Sequence, residues 1–240
     1  MEDRFSRTEL IYGKENMEKI FSSSVIVFGV GGVGGFAAEA LVRAGIGKIT
    51  IVDSDVVSVS NINRQIIALS STVGMKKVDA AEMRFSDINP DCEIAKYDVF
   101  VTDDTIDLFD FSSYDYIVDA IDTVSAKLLL AEKADKLGVP IISSMGAGNK
   151  VDPTAFIISD IGKTYNDPLC RVMRRELKKR GIKKLNVCWS DEMPISPKIN
   201  SEDYEKPQNG RRAVPGSVSF VPSSAGLAIA GYVINDIVEK

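Results

Sequence analysis

The chain has no histidine among its 240 residues. That excludes a Ser-His-Asp triad, a Cys-His dyad, a histidine general base and any histidine-ligated metal. Cysteine is scarce and unpaired: Cys92, Cys170 and Cys188 stand far apart, with no Cys-x-x-Cys. This excludes a structural zinc knuckle and a thioredoxin-type redox pair, and it suits a reducing compartment. No apolar run reaches the roughly 18 residues of a membrane span, and the last apolar stretch, Ala225 to Val238, is interrupted by Asn235 and Asp236. The start, Met1-Glu2-Asp3-Arg4, has nothing of a signal peptide. We therefore expect a cytoplasmic protein with no membrane partner. A net charge of −5 argues against coating nucleic acid by overall charge, but leaves room for a local basic patch.

The remainder is ordinary globular sequence, 45% hydrophobic and 26% charged. Short apolar runs end in glycine or acid, which is the pattern of buried parallel strands. They lie at 24–28, 48–53, 93–99, 114–120 and 139–144. Helical segments fall between them, at 36–44, 74–88 and 125–137, after an amphipathic lead-in over 1–20. The alternation predicts an α/β fold, a Rossmann-like, doubly wound, mostly parallel sheet. Beyond residue 150 the pattern predicts an appended strand and helix segment. It has strands at 153–161 and 185–190, a charged helix at 167–181 and a closing helix at 224–238. A mobile Pro-rich loop is expected over 193–216. We expect an adenylation-type domain over 1–150 and a C-terminal extension over 151–240 packed on it.

Gly29-Val30-Gly31-Gly32-Val33-Gly34 follows the first strand and opens a helix. Gly29, Gly31, Gly32 and Gly34 suit a tight turn where backbone approaches phosphate oxygens, at a helix N-terminus that attracts anions. Asp53 lies 19 residues past Gly34, at the end of the second strand, where a carboxylate meets a ribose hydroxyl. This much indicates an adenine nucleotide and does not separate NAD from ATP. Arg64 and Lys77, just beyond that acid, have no general use in hydride transfer. They suit attack on an α-phosphate, whose transition state gathers negative charge. A further acid is needed for magnesium, and Val118-Asp119-Ala120-Ile121-Asp122 supplies two. Asp122 is preferred over Asp119 because it stands beyond the strand end.

At these residues the chain resembles the superfamily of ubiquitin-activating enzymes and their bacterial sulfur-carrier-adenylating relatives. The match is carried by Gly29 to Gly34, Asp53 and Asp55, Ser60-Asn61, Arg64-Gln65, Gly74 with Lys77, and Asp122. The resemblance implies ATP and Mg2+ as cofactors. It implies Asp53 on the ribose, Asn61, Arg64 and Lys77 on the phosphates, Gln65 and Asp55 lining the site, and Asp122 on the metal. It implies a homodimer in which Arg7 enters the neighbouring subunit's site. The zinc-binding Cys-x-x-Cys pairs of the sulfur-carrier enzymes are absent.

The second half carries Ser144-Met145-Gly146-Ala147-Gly148, Asp152-Pro153-Thr154, Asp167-Pro168-Leu169 and Pro215-Gly216-Ser217. These are similar to the tRNA threonylcarbamoyladenosine dehydratases. That resemblance implies ATP-dependent activation of the threonylcarbamoyl carboxylate beside the anticodon, cyclisation, and release of AMP and pyrophosphate. It leaves open an accessory sulfur-transfer partner. The alternatives are activation of a sulfur-carrier protein, a NAD-dependent oxidoreductase and a nucleotide-sensing module without turnover.

Residues 171–184 hold eight cations and one anion. A patch of this density suggests phosphate-backbone contact, with tRNA as the expected partner. Arg211 and Arg212 are possible additions in the Pro-rich loop. The cysteines read as buried structural thiols, Trp189 as a packing residue, and Asp167 as a helix N-cap.

Overall fold

The computed structural model describes residues 3–196, 198 and 215–239. Seven strands form one sheet: β1 (Ser24–Phe28), β2 (Lys48–Val52), β3 (Glu93–Tyr97), β4 (Tyr116–Asp119), β5 (Ile141–Ser144), β6 (Phe156–Asp160) and β7 (Asn186–Ser190). Their spatial order is β3-β2-β1-β4-β5-β7-β6. Every neighbouring pair is parallel except β6 on β7, which is antiparallel. The doubly wound α/β expectation is therefore met. The C-terminal strands extend the same sheet rather than forming a second one.

The helices are α1 (Ser6–Ser22), α2 (Gly34–Ala44), α3 (Lys77–Ile88), α4 (Val124–Leu137), α5 (Pro168–Lys179) and α6 (Phe220–Glu239). Alternation along β1 sorts its side chains between two cores. Val25 and Val27 join α2 and α6 on one face, while Ile26 and Phe28 join α4 on the other. A third cluster sits between α4, α5 and β7, centred on Met173, Leu177 and Trp189.

Several boundaries differ from the sequence expectation. Helix α2 begins inside the glycine motif, and α3 starts late because Lys76 is held extended in a bridge with Val56. Helix α6 begins at Phe220, since Pro222 is tolerated in a first turn. It is 20 residues long, with a mean hydropathy that would suit a membrane span, so the expectation of too short an apolar stretch is corrected. Here α6 packs against α1, α2 and β5 to β7 as a core helix. The charged helix ends at Lys179 rather than 181, so Lys183 and Lys184 lie in the turn beyond it. Gly181, with φ of +76°, breaks the helix and returns Ile182 and Leu185 to the core. Most of the Pro-rich loop, with Arg211 and Arg212, lies outside the described residues.

Candidate active site

The carboxyl ends of β1, β2 and β4 form one edge, with the order of strands reversing between β1 and β4. Crevices at such reversals take ligands in open α/β sheets. Two glycines are dictated by close approach. Gly29 has φ of +87°, and a Cβ there would stand 2.7 Å from the Ala120 carbonyl oxygen. A Cβ on Gly34 would stand 1.8 Å from the Gly29 carbonyl oxygen. The loop after β1 is thus pressed on the loop after β4. Val33 gives α2 no side-chain cap, and Gly35 N is taken by the Gly31 carbonyl, so an anion here would meet the helix dipole and the remaining leading N–H groups.

Asp53 is a brace between two loops. Its Oδ2 accepts from Val30 N at 2.7 Å and its Oδ1 from Asp55 N at 2.9 Å, tying the glycine loop to the end of β2. Burial pushes its carboxyl above the ordinary value, an effect opposed by the Lys77 ammonium 3.7 Å away. Lys77 is itself buried and donates to Asp55 Oδ2 at 2.7 Å. Arg64 folds on its own loop, donating to Ser60 O and Asn63 Oδ1, and its Cγ lies 3.5 Å from where a Gly32 Cβ would be. Asn61 accepts from Ser58 N and closes the turn that presents Arg64.

Gln65 is buried beside Gly31, and its Oε1 has no hydrogen-bond partner among the described residues. A buried orphan acceptor calls for a donor, which a nucleotide could offer from a ribose hydroxyl or a base amino group but not from its phosphates. Asp122 stands exposed in the loop beyond β4, with only a 3.4 Å contact from Thr123 Oγ1 among the described residues. No group of three or more acidic or cysteine ligands exists among the described residues. One free carboxylate beside a triphosphate cradle is the donor set magnesium takes, because it draws its other ligands from phosphate and water. Asp119 is not available for that role, being buried and paired with Lys127. Arg7 stands exposed on α1, away from these contacts.

Some participants were not legible in advance. Asn149, with φ of +58°, exchanges hydrogen bonds with Gly216 and accepts from Ile195 N, while Asn63 donates to Ser217 O. Residues 215–217 are thereby strapped to both sides of the site. Two buried ion pairs, Lys127–Asp119 at 3.1 Å and Lys150–Asp167 at 3.2 Å, sit at the strand ends. Asp167 is also the expected N-cap, accepting from Cys170 N.

Comparison with known proteins gives this geometry a family. The ThiF family matches residues 5–235. A tRNA threonylcarbamoyladenosine dehydratase of Bacillus subtilis is 47% identical, over 98% of this chain and 95% of its own. The chain belongs to the ThiF family, among the tRNA threonylcarbamoyladenosine dehydratases. The crystal structure of the Escherichia coli dehydratase TcdA in complex with ATP superposes with a TM-score of 0.88 at 32% identity, covering 98% of this chain and 94% of that one. The adenylyltransferase and sulfurtransferase UBA4 of Saccharomyces cerevisiae is 35% identical, but over only 64% of this chain and 34% of its own.

An open cleft beside α5 is lined by Gly162, Arg171, Arg175, Lys178 and Lys183. Not all of the basic segment is free. Glu176 pairs with Arg175, Lys179 and Arg180, Arg180 also reaches Glu132, and Arg174 is spent on Thr164. Arg171, Lys178, Lys183 and Lys184 are exposed and make no ion pair among the described residues. The cysteines are buried: burial pushes the thiols of Cys170 and Cys188 up to about 12 and that of Cys92 up to about 11. Trp189 packs edge-on against Tyr165, with its Nε1 donating to Ser159.

Proposed function

We propose that this chain is an ATP-dependent dehydratase of threonylcarbamoyladenosine in tRNA, acting beside the anticodon. The observation that carries the reading is the near full-length identity to the Bacillus subtilis dehydratase. The threonylcarbamoyl carboxylate attacks the α-phosphate of ATP and pyrophosphate leaves. A nitrogen of the same group then attacks the acyl adenylate, closing a ring and expelling AMP.

Gly29 to Gly34 and the N-terminus of α2 receive the phosphates, and Asp53 orients the ribose. Lys77 leaves Asp55 for the triphosphate, and Arg64 swings from its loop carbonyl to the charge that grows on the α-phosphate. Asn61 and Gln65 line the same crevice. Asp122 would hold magnesium, which would supply neutralisation of the triphosphate charge. The free cations of α5 and the following turn meet the tRNA backbone. Buried, unpaired thiols and a tRNA substrate support a cytoplasmic location.

A homodimer is supported by the outer face of α1, where Leu10 is 87% and Ile11 81% exposed beside Arg7. Apolar side chains bared to that degree on one helix suit burial against a second copy. Arg7 then enters the neighbouring site.

The test is nucleoside analysis of tRNA carrying threonylcarbamoyladenosine after incubation with the protein, ATP and magnesium. A product lighter by one water, formed with AMP, is expected. An unchanged nucleoside, with AMP released only on adding a carrier protein ending in Gly-Gly, would transfer the reading to carrier activation.

A further inference from the structure

Lys127 on α4 is fully buried, yet it is not part of the nucleotide cradle. Its ammonium donates to Asp119 Oδ2 at 3.1 Å, to Ser143 Oγ at 3.1 Å and to the Ser144 carbonyl at 2.7 Å. Three donors meet three acceptors, so the charge is fully satisfied. Ser143 Oγ in turn donates to Asp119 Oδ2 at 2.6 Å. These contacts hold one carboxylate oxygen. The other, Oδ1, accepts from the backbone N of Ile121 at 3.2 Å. Ile121 is the neighbour of Asp122, and the Ala120 carbonyl before it closes on Gly29.

A buried ion pair adds little stability over apolar residues of similar size, so its place in the core asks for another role. Here it gives the Asp119 carboxylate a single orientation, and that orientation pins the first turn of the loop after β4. An apolar pair would fill the space without holding the Ile121 N–H. Lys127 also fixes the Ser144 carbonyl, at the start of the loop that leads to Asn149. One ammonium therefore joins the two loops on the β4 and β5 side of the crevice.

We propose that Lys127 is a positioning residue. Through Asp119 it sets the loop carrying Asp122, and so the place of the divalent cation at the triphosphate. This rests on the assignment of Asp122 to the metal. The support acts on the backbone that carries Asp122, through the Ile121 N–H, and is the counterpart of the outer hydrogen bonds on which metal ligands depend.

The experiment measures Mn2+ binding to the full-length protein with a non-hydrolysable ATP analogue, by electron paramagnetic resonance, beside metal-free binding of the analogue and a melting curve. Lys127→Met is expected to weaken Mn2+ by about tenfold or more, the usual scale for loss of outer support. Metal-free nucleotide binding is expected to stay as in the wild type, and Lys127→Arg to recover part of the loss. Wild-type Mn2+ affinity in Lys127→Met would overturn the inference. So would equal loss of metal-bound and metal-free nucleotide, which is the mark of a merely structural pair. If Lys127→Met does not fold, Ser143→Ala removes one contact to Asp119 without touching a charge, and the same two comparisons decide. Asp122→Asn is run in parallel. Unchanged Mn2+ binding there would overturn the metal assignment and this inference together, whereas failure of the Lys127 variant alone overturns only the positioning role.

Discussion

Asp53, Arg64, Lys77 and Asp122 could be named as candidates from single letters because the proposed chemistry is tied to position along the strands. A carboxylate at a strand end and cations soon after it can be read from spacing. What each side chain does without nucleotide was not visible. Asp53 braces Val30 and Asp55, Lys77 is held by Asp55, and Arg64 is folded on Ser60 and Asn63. Gln65 could be read only as lining the site, since burial without a partner is a tertiary property. The separation of Asp122 from Asp119 follows the strand boundary, with the inner acid consumed by Lys127 and the outer one free. Asp122→Ala is therefore expected to abolish AMP formation while the melting temperature stays at the wild-type value. Arg64→Ala is expected to lower kcat by about 100-fold, the scale of losing one donor to transition-state charge. Steady-state kinetics with melting curves check both. Retained activity in two folded variants would overturn the site.

At the scale of elements, helices α2 and α5 show how local rules and packing divide the work. Helix α2 stops at Gly45, with φ of +103°, as its sequence indicates. Its early start could not be read, because the glycines that discourage helix in isolation are required by the Gly29 carbonyl. Helix α5 begins as written, with Asp167 as cap and Pro168 in the first turn. The one anion among eight cations over 171–184 was visible, but which cations it holds was not. Glu176 gathers Lys179, Arg175 and Arg180, and hydrogen bonds from Lys179 and Arg175 hold its carboxyl down at about 2, against an ordinary 4.5. A lowered carboxyl contributes stability that is present above the ordinary value and lost as pH falls towards the folded one. Helix α5 is thus expected to loosen between about pH 4.5 and 2. Glu176→Gln should remove that part of the acid transition, read by circular dichroism along a pH titration. An unaltered transition would show that the cluster has no such linkage.

For the whole molecule, the expected arrangement is a pair of sites completed across a dimer. Mixing Arg7→Ala with Arg64→Ala chains should restore activity, since each mixed dimer then keeps one site with both arginines. No recovery in an assay of co-folded mixtures would overturn an arginine acting from the partner. The alternation of strands and helices by itself determined the parallel α/β plan, and the glycine motif with its acid determined the nucleotide edge. Both are local in origin, because strand pleat, helix pitch and turn geometry constrain neighbouring residues directly. Only the tertiary structure decided that β7 enters between β5 and β6, and that α6 buries itself in the core. It also decided that Asn149 straps residues 215–217 over the crevice, and that Lys127 and Lys150 lie inside with acids of their own. Those features join residues far apart in the chain. A lysine in a helix carries no mark of the distant carboxylate that makes its burial tolerable, and that partner exists only once the sheet has closed.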